Sequence, residues 1–253
     1  MLERLKEIFK HRELLINLAI QDLKVRYKNA LIGFGWTLLS PLAMMVIFVL
    51  VFRLVFRIRI ENYPVFLLSG LFPWTFFTSS VSEATTSIVS RANLIKKTYF
   101  PREVIPISIT LAKLVNFLLS LIVLFAFILI YKIPLTATTL WLPVIILIQL
   151  ILATGVSLIV SSLHVCYRDI RYLMEILLML WFYVTPVVYS LDMVREPLIK
   201  RHLFHLYNLN PMVGVISGYH KILLYGERPD LESLGLSLKE DFVVTRDNPH
   251  HGI

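Results

Sequence analysis

Charge is scarce in this sequence and absent over long stretches. Asp, Glu, Lys and Arg make up 17% of the 253 residues, whereas 57% are apolar and the mean hydropathy is +0.73. A soluble domain would interrupt its apolar runs every three or four positions, but several runs here extend for about 20 residues, the length of a helix that crosses a bilayer. We therefore predict an all-α polytopic membrane bundle.

Cysteine and nucleotide-binding motifs are also nearly or wholly lacking. The single cysteine, Cys166, excludes an intrachain disulfide, and we expect a small buried thiol there. No segment matches GxxxxGK[ST], the glycine-rich loop that holds phosphates, so the chain is not expected to hydrolyse ATP. No catalytic residue, metal site or resident cofactor is predicted, and the energy for any uphill transport should come from elsewhere.

The net charge of +8 would suggest nucleic acid in a soluble protein. Here the Lys and Arg residues lie next to the apolar runs, which is typical of the cytoplasmic loops of membrane proteins. No nucleic-acid partner is therefore expected. The charged first 32 residues lack the apolar core of a cleavable signal peptide, so we expect the amino terminus to stay in the cytoplasm.

The pattern of apolar runs predicts four regions. Residues 1–32 have apolar positions at helical spacing and should form an amphipathic interface segment in contact with membrane lipids. Residues 33–190 should form a transmembrane domain of five spans, and residues 191–230 an extracytoplasmic re-entrant or interfacial hairpin. Residues 231–253 are polar, and we expect them to form a tail. The predicted spans are about 34–56, 63–88, 104–130, 139–163 and 172–190.

A few polar side chains fall within or beside these spans. Glu83, Lys113 and Glu175 lie toward the cytoplasmic ends, where snorkelling or pairing, Glu83 with Lys113 for example, competes with a role in transport. Arg171 lies one helical turn from Glu175 and could pair with it. Three histidines allow a metal site or interfacial positions, and no Cys or carboxylate pattern supports the metal. They are His202, His205 and His220.

Aromatic residues are dense within the spans. Many can be explained as Trp and Tyr at the membrane interface. An alternative is that aromatic faces line a path on which sugar rings stack. The candidates for such a lining are Phe48, Phe52, Trp181 and Tyr183.

Three stretches together resemble one family of membrane proteins. They are LKVRYKNALIGFGWTLLSPL at 23–42, RANLIKKTYFPREVIP at 91–106 and HVCYRDIRYLMEILLMLWFYVTPVVYS at 164–190, with NLNPMVG at 208–214. In this order and spacing they resemble the membrane subunit of bacterial ATP-binding-cassette exporters of O-antigen, capsule and teichoic-acid polysaccharides. The resemblance implies a permease that exports a lipid-linked polysaccharide across the inner membrane.

The same resemblance implies partners and site residues. The permease would be a homodimer docked on two copies of a cytoplasmic ATPase, which binds the ATP and Mg²⁺. A substrate entrance is implied at Arg26, Tyr27, Gly33 and Trp36. Contact with the ATPase is implied for the amino-terminal helix and the 91–106 loop, at Asn93, Leu94, Lys96, Lys97 and Tyr99.

One departure and two rival functions accompany this interpretation. Members of the family end with a further apolar span, and this sequence continues from the broken hairpin into a polar tail instead. A drug or lipid exporter of the same class is the first rival. A membrane-embedded lipid-sugar transferase is the second, and it would need clustered acidic metal ligands, whereas the carboxylates Asp22, Glu103 and Asp169 are scattered.

Overall fold

The regular structure of the described residues is entirely helical. The computed structural model describes residues 7, 10–27, 35–54, 62–191, 193, 207 and 209–228. The helices are α1 (Arg12–Tyr27), α2 (Gly35–Leu54), α3 (Tyr63–Ser90), α4 (Ala92–Lys97), α5 (Val104–Ile130), α6 (Leu142–Cys166), α7 (Ile170–Val184) and α8 (Pro211–His220). A 3-10 turn, Ala137–Trp141, precedes α6, and a π-helical turn, Lys221–Tyr225, follows α8.

Three helices are long and apolar enough to cross a membrane, which confirms the predicted all-helical membrane class. They are α3, α5 and α6 taken together with its preceding 3-10 turn. The apolar segment Leu38–Phe52 of α2 is shorter. Helix α7 has 15 residues and is about 22 Å long, against about 30 Å for the bilayer core.

Helix α3 is the centre of the bundle. It packs against α5 and α6 and also contacts α2, α7 and α8. Its buried side chains include Phe66, Phe77 and Val81, each at most 1% exposed. Apolar side chains surround α3, so it combines the length of a span with burial on most of its circumference.

A polar junction ties α3 to α6 and α8 deep in this core. Pro73 lies inside α3. The carbonyl oxygen of Pro73 accepts a 2.7 Å hydrogen bond from the amide of Gln149, and the Tyr219 hydroxyl donates to the other end of that amide at 2.8 Å. All three partners are therefore satisfied without water, as a buried polar group in a membrane protein requires.

The fifth predicted segment is not one helix to its end. Helix α7 stops at Val184, and Pro186 follows, which disfavours helical geometry at Thr185. Residues 185–188 are buried against the bundle, and the Tyr63 hydroxyl donates to the Val188 carbonyl at 2.9 Å. Non-helical backbone is thus covered by protein, the condition under which it is tolerated at membrane depth.

Helix α1 packs against one end of the bundle, near the start of α5, but it does not show a single apolar face. Leu18 is buried, and Leu14 and Leu15 pack around it. Ile16 and Val25 are 52% and 72% exposed. A strictly amphipathic helix is therefore not confirmed.

Two further predictions concern the segments after the last span and the single cysteine. The structure describes the predicted hairpin, 191–230, at residues 191, 193, 207 and 209–228, and the predicted tail, 231–253, lies outside the described residues. The prediction of a buried thiol is wrong, because Cys166 is exposed. It is the last residue of α6, where the chain turns toward α7.

Candidate functional site

A groove between α2, α3 and α7 is the first candidate. Its volume is about 350 Å³. Among the described residues that line it none is charged, and their side-chain polar groups are hydroxyls and the indole N–H of Trp74. The lining residues are Ser40, Pro41, Met44, Phe48, Leu71, Trp74, Thr75, Thr78, Leu178, Met179, Phe182 and Tyr183.

Aromatic rings form one wall of the groove. The Phe182 ring is 5.6 Å from that of Trp74, 6.4 Å from that of Phe48 and 5.5 Å from that of Tyr183, measured between centroids. Phe52 continues this series beyond the lining, 6.1 Å from Phe48. Rings at these separations pack favourably with one another and offer apolar faces to a ligand.

The four predicted lining residues therefore separate into three groups. Phe48 and Tyr183 line the groove, and Phe52 packs behind Phe48. Trp181 lies outside the lining, with its ring edge-on to Phe77. Trp74 and Phe182 were not among the predicted lining residues, because only the packing of α3 and α7 shows which aromatics share a wall.

Trp181 belongs instead to a hydrogen-bonded junction between α7 and α8. Its indole N–H donates to the Asn210 side-chain oxygen at 2.7 Å, and that oxygen also accepts from the backbone N–H of Met212 at 3.0 Å. The Asn210 amide donates to the Thr185 hydroxyl at 3.1 Å. Asn210 is the N-cap of α8, so one side chain caps this helix and ties it to the end of α7.

The second candidate is the surface formed by α1, α4 and the start of α5, which the sequence predicts to face the cytoplasm. A small apolar cluster joins them, and we call it the cytoplasmic cluster: Leu18, Phe100, Val104 and Ile105, with Leu14, Leu15, Leu94 and Ile95 packed against it. Because members come from all three elements, α1 and α4 are attached to the bundle at one place.

Two ion pairs accompany the cytoplasmic cluster. Arg91 donates to Asp22, which joins α1 to the junction between α3 and α4. Lys113 donates to Glu83, which joins α5 to α3 as the sequence suggested. The Arg171–Glu175 pair is also present, within α7 at 3.2 Å, but both side chains are more than half exposed.

The predicted contact residues for the ATPase lie around α4. Asn93, Lys96 and Lys97 are exposed, and Tyr99 is 93% exposed. Leu94 instead packs on the cytoplasmic cluster. The segment therefore presents cationic and aromatic side chains outward from an apolar base.

The predicted substrate entrance is described only through its backbone. Arg26 and Tyr27 are the last two residues of α1, and Trp36 is the second residue of α2. The side chains of these three residues, and Gly33 as a whole, lie outside the described residues.

The histidine candidates do not come together as a described site. His220 is buried, and its ring stacks on that of Phe66 at 4.0 Å. His202 and His205 lie outside the described residues. In the described part of the chain, no three His, Cys, Asp or Glu side chains lie close enough together to hold a metal ion.

The sequence matches one family over most of its length. The profile described as ABC-2 type transporter matches residues 13–224, from α1 to the π-helical turn. The chain belongs to the ABC-2 type transporter family. With its apolar helices, this makes the ABC-2 chain a multi-pass membrane protein and a transport subunit.

Relatives of this ABC-2 chain carry a more specific name. The "O-antigen export system permease protein RfbA" of Myxococcus xanthus is 35% identical over 234 residues, which are 92% of this chain and 89% of the relative. Two proteins of Klebsiella pneumoniae with the same name are each 36% identical over 215 residues, 85% of this chain and 81% of the relative. The family match at residues 13–224 includes both the groove and the surface formed by α1, α4 and the start of α5.

Proposed function

We propose that this chain is the permease subunit of an exporter that moves a lipid-linked, O-antigen-like polysaccharide across the bacterial inner membrane. The similarity to O-antigen export permeases over 85% to 92% of the chain is the observation that carries the proposal. The match also covers 81% to 89% of the length of these relatives.

The groove supports a carbohydrate substrate on chemical grounds. Sugar rings present C–H faces that pack on aromatic rings and hydroxyls that bond to water or to Thr and Ser. Phe48, Trp74 and Phe182 supply the rings, and Thr75 and Thr78 supply hydroxyls. A lining without charge holds a moving polymer weakly at each step, as translocation requires.

The energy source in this proposal is a separate ATPase that binds ATP and Mg²⁺. One ATPase copy would dock on the α1 and α4 surface of each permease, with Asn93, Lys96, Lys97 and Tyr99 facing it. A second permease copy would complete the passage. The apolar side chains that α7 exposes along most of its length support such a homodimer.

The membrane arrangement in this proposal has five spans. Helices α2 and α7 would join the three longer helices, and α1 would lie at the cytoplasmic interface. The segment containing α8 would form the returning half of an extracytoplasmic hairpin. Arg26, Tyr27, Gly33 and Trp36 would form the entrance, where an arginine suits the pyrophosphate of a lipid-linked substrate.

Export in cells tests the substrate class. Deletion of the gene should abolish surface polysaccharide and cause lipid-linked glycan to accumulate inside, and the wild-type gene should restore export. Unchanged surface glycan in the deletion strain would contradict the proposal, and loss of drug resistance or of a surface lipid instead would favour the other exporter function.

Purified protein tests the mechanism. Vesicles containing the permease and its ATPase should move a lipid-linked glycan only with hydrolysable ATP. Replacement of groove rings in the double variant Trp74→Ala and Phe182→Ala should reduce export while the complex still assembles. Turnover of a sugar nucleotide by the permease alone would instead identify a transferase.

A further inference from the structure

The junction of α1 with α4 contains both apolar and charged contacts. The cytoplasmic cluster supplies the apolar contacts, through Leu18 on α1 and Phe100 after α4. Apolar contacts do not depend strongly on direction, so side chains of this kind allow two helices to slide and repack. The cluster alone would keep α1 close to α4 without fixing their register.

The Asp22–Arg91 ion pair fixes the relative orientation of α1 and α4, which the apolar contacts leave undetermined. Arg91 is the residue between α3 and α4, so its backbone is held by both helices. The Asp22 and Arg91 side chains are 19% and 23% exposed, which places their bond mostly out of water. A guanidinium bonded to a carboxylate fixes both distance and angle, unlike an apolar contact.

This ion pair is not explained by stability alone. Burial raises the pKa of the Asp22 carboxyl, and it does so more strongly than the Arg91 guanidinium lowers it. Keeping the Asp22 carboxylate charged at this position therefore costs free energy. Buried ion pairs contribute little net stability for that reason, and their best attested use is to specify one geometry among several.

A second ion pair, Glu83–Lys113, holds α3 to α5 close to this junction. It lies two turns deeper along α3 and joins α3 to α5, with Lys113 only 5% exposed. The charges of Glu83 and Lys113 also act on Asp22 in opposite directions, so the two pairs lie within electrostatic range of each other. Arg91 thus extends from a helix end that is held to the bundle toward Asp22 on α1.

We propose that Asp22 and Arg91 are positioning residues whose ion pair holds α1 and α4 in one register, so that movement of the ATPase displaces both helices together. This inference rests on the proposed function, because it assigns a role within the contact between permease and ATPase. Neither residue contacts the substrate in this proposal. Because of this ion pair, α1 and α4 would be displaced by the ATPase as one unit, which we call the lever.

Export per ATP hydrolysed tests the role of the pair. Asp22→Asn and Arg91→Gln should each leave complex assembly and ATP hydrolysis nearly unchanged and lower the glycan exported per ATP at least about fivefold. The exchanged variant, Asp22→Arg with Arg91→Asp, should recover a large part of that loss. Glu13→Gln, which removes an exposed carboxylate from the same helix, should match the wild type.

Two results in this assay would overturn the proposal. One is an unchanged export per ATP in both single variants. The other is an exchanged variant that is no better than the product of the two single losses, because residues that act independently show no recovery.

A distance measurement tests the lever without any glycan and with the Asp22–Arg91 pair intact. Spin labels would be placed at the exposed positions Lys24 and Thr98 after Cys166→Ser removes the native thiol. The label distance should differ by less than about 2 Å between the nucleotide-free and ATP-bound complexes. The distribution of label distances should broaden when Asp22→Asn is added. A larger shift in the wild-type complex would show that the helices move separately.

The two assays keep this inference distinct from the function. If the complex exports no lipid-linked glycan but the label distance stays fixed and depends on Asp22, the substrate proposal fails and the lever remains. If glycan is exported while the distance shifts with nucleotide, the lever fails and the function remains.

Discussion

Gly70 shows how a single missing side chain sets a packing distance in this bundle. A Cβ atom built at Gly70 would lie 3.0 Å from the carbonyl oxygen of Val187 and 3.3 Å from the His220 ring. The nearest neighbour is backbone of the non-helical segment after α7, which cannot move aside like a side-chain end. Only glycine therefore lets this segment lie against α3.

We expect Gly70→Ala to destabilise the protein by about 1 to 3 kcal/mol, because the added methyl overpacks a rigid contact. Gly155→Ala is a matched control, since no atom lies within 4 Å of the corresponding Cβ. The control should be neutral or more stable by up to about 1 kcal/mol, as alanine favours a helix. Thermal unfolding in detergent measures both, and equal midpoints for the two variants would contradict this account.

Gln149 is a second residue whose contribution to stability can be predicted from its contacts. Gln149→Met keeps the length of the side chain but leaves the Pro73 carbonyl and the Tyr219 hydroxyl without their partner. We expect a loss of at least about 1 kcal/mol, between the cost of unpaired buried groups and the smaller averages found within membranes. Tyr219→Phe should cost less, because it removes only one of the two bonds. A Gln149→Met variant as stable as the wild type in the same unfolding assay would contradict the prediction.

Single residues were predictable from the sequence where a partner lay at a recognisable place. Arg171 and Glu175 are one turn apart on a helix, and Glu83 and Lys113 lie at similar depth on adjacent spans, so both pairs could be inferred. The Gln149 junction could not, although a lone amide in an apolar run is a signal that a buried partner exists. Its partners come from two other helices, and no sequence spacing relates them.

At the scale of elements, α1 is attached through a group whose charge depends on pH. Because burial raises the pKa of Asp22 above its ordinary value of 3.8, the folded protein binds that proton more tightly than the unfolded chain does. The contribution of the Asp22 carboxyl to the free energy of unfolding is greatest below pH 3.8 and falls as the pH rises through the raised pKa. Arg91 and Lys113 oppose the shift, and Glu83 adds to it.

We therefore expect the unfolding temperature of Asp22→Asn, relative to the wild type, to rise as the pH increases from about 4 toward about 7. The asparagine lacks the carboxyl, so it does not share the loss of stability above the ordinary pKa. Melting curves of the two proteins across this range give the difference directly, with Glu13→Gln as control for an exposed carboxyl. A difference that is constant with pH would show that the pKa of Asp22 is not raised.

The helices themselves were predictable to different degrees. The apolar runs at 63–88 and 104–130 correspond closely to α3 and α5, because long runs without charge leave no other structure in lipid. The run at 172–190 is equally apolar, but Pro186 ends its helix early and the chain continues as buried non-helical backbone. Hydropathy reports burial and lipid contact alike, so it could not separate the helix from the segment that follows.

For the whole molecule, the groove illustrates what hydropathy cannot give. Phe48, Trp74 and Phe182 come from three helices and share one wall only after α2, α3 and α7 pack together. An aromatic path was one of two explanations that the sequence left open, and Phe48 and Tyr183 were among its candidates. Another candidate was Trp181, whose hydrogen bond to Asn210 directs the indole elsewhere, and the direction of a side chain within an aromatic cluster depends on such tertiary bonds.

The outer face of α7 indicates how two copies would meet. Leu173, Leu177, Leu180 and Val184 are each 51% to 53% exposed and recur at helical spacing, so they form one stripe. Of the residues in α7, only Leu178 is buried. A short helix with an exposed apolar stripe beside the groove is suited to pack on the same stripe of a second copy, since a two-fold interface pairs a surface with itself.

We accordingly expect Leu177→Cys, in a Cys166→Ser background, to cross-link two copies in native membranes under mild oxidation. A residue near a two-fold axis meets its own counterpart, so the single variant supplies both thiols. Ile122→Cys is the control, because Ile122 is 65% exposed on α5, a helix long enough to face lipid over its whole length. It should remain monomeric after the same treatment. Cross-linking at Ile122 but not at Leu177 would place the interface on α5, and the groove beside α7 could not then open into a passage shared by two subunits.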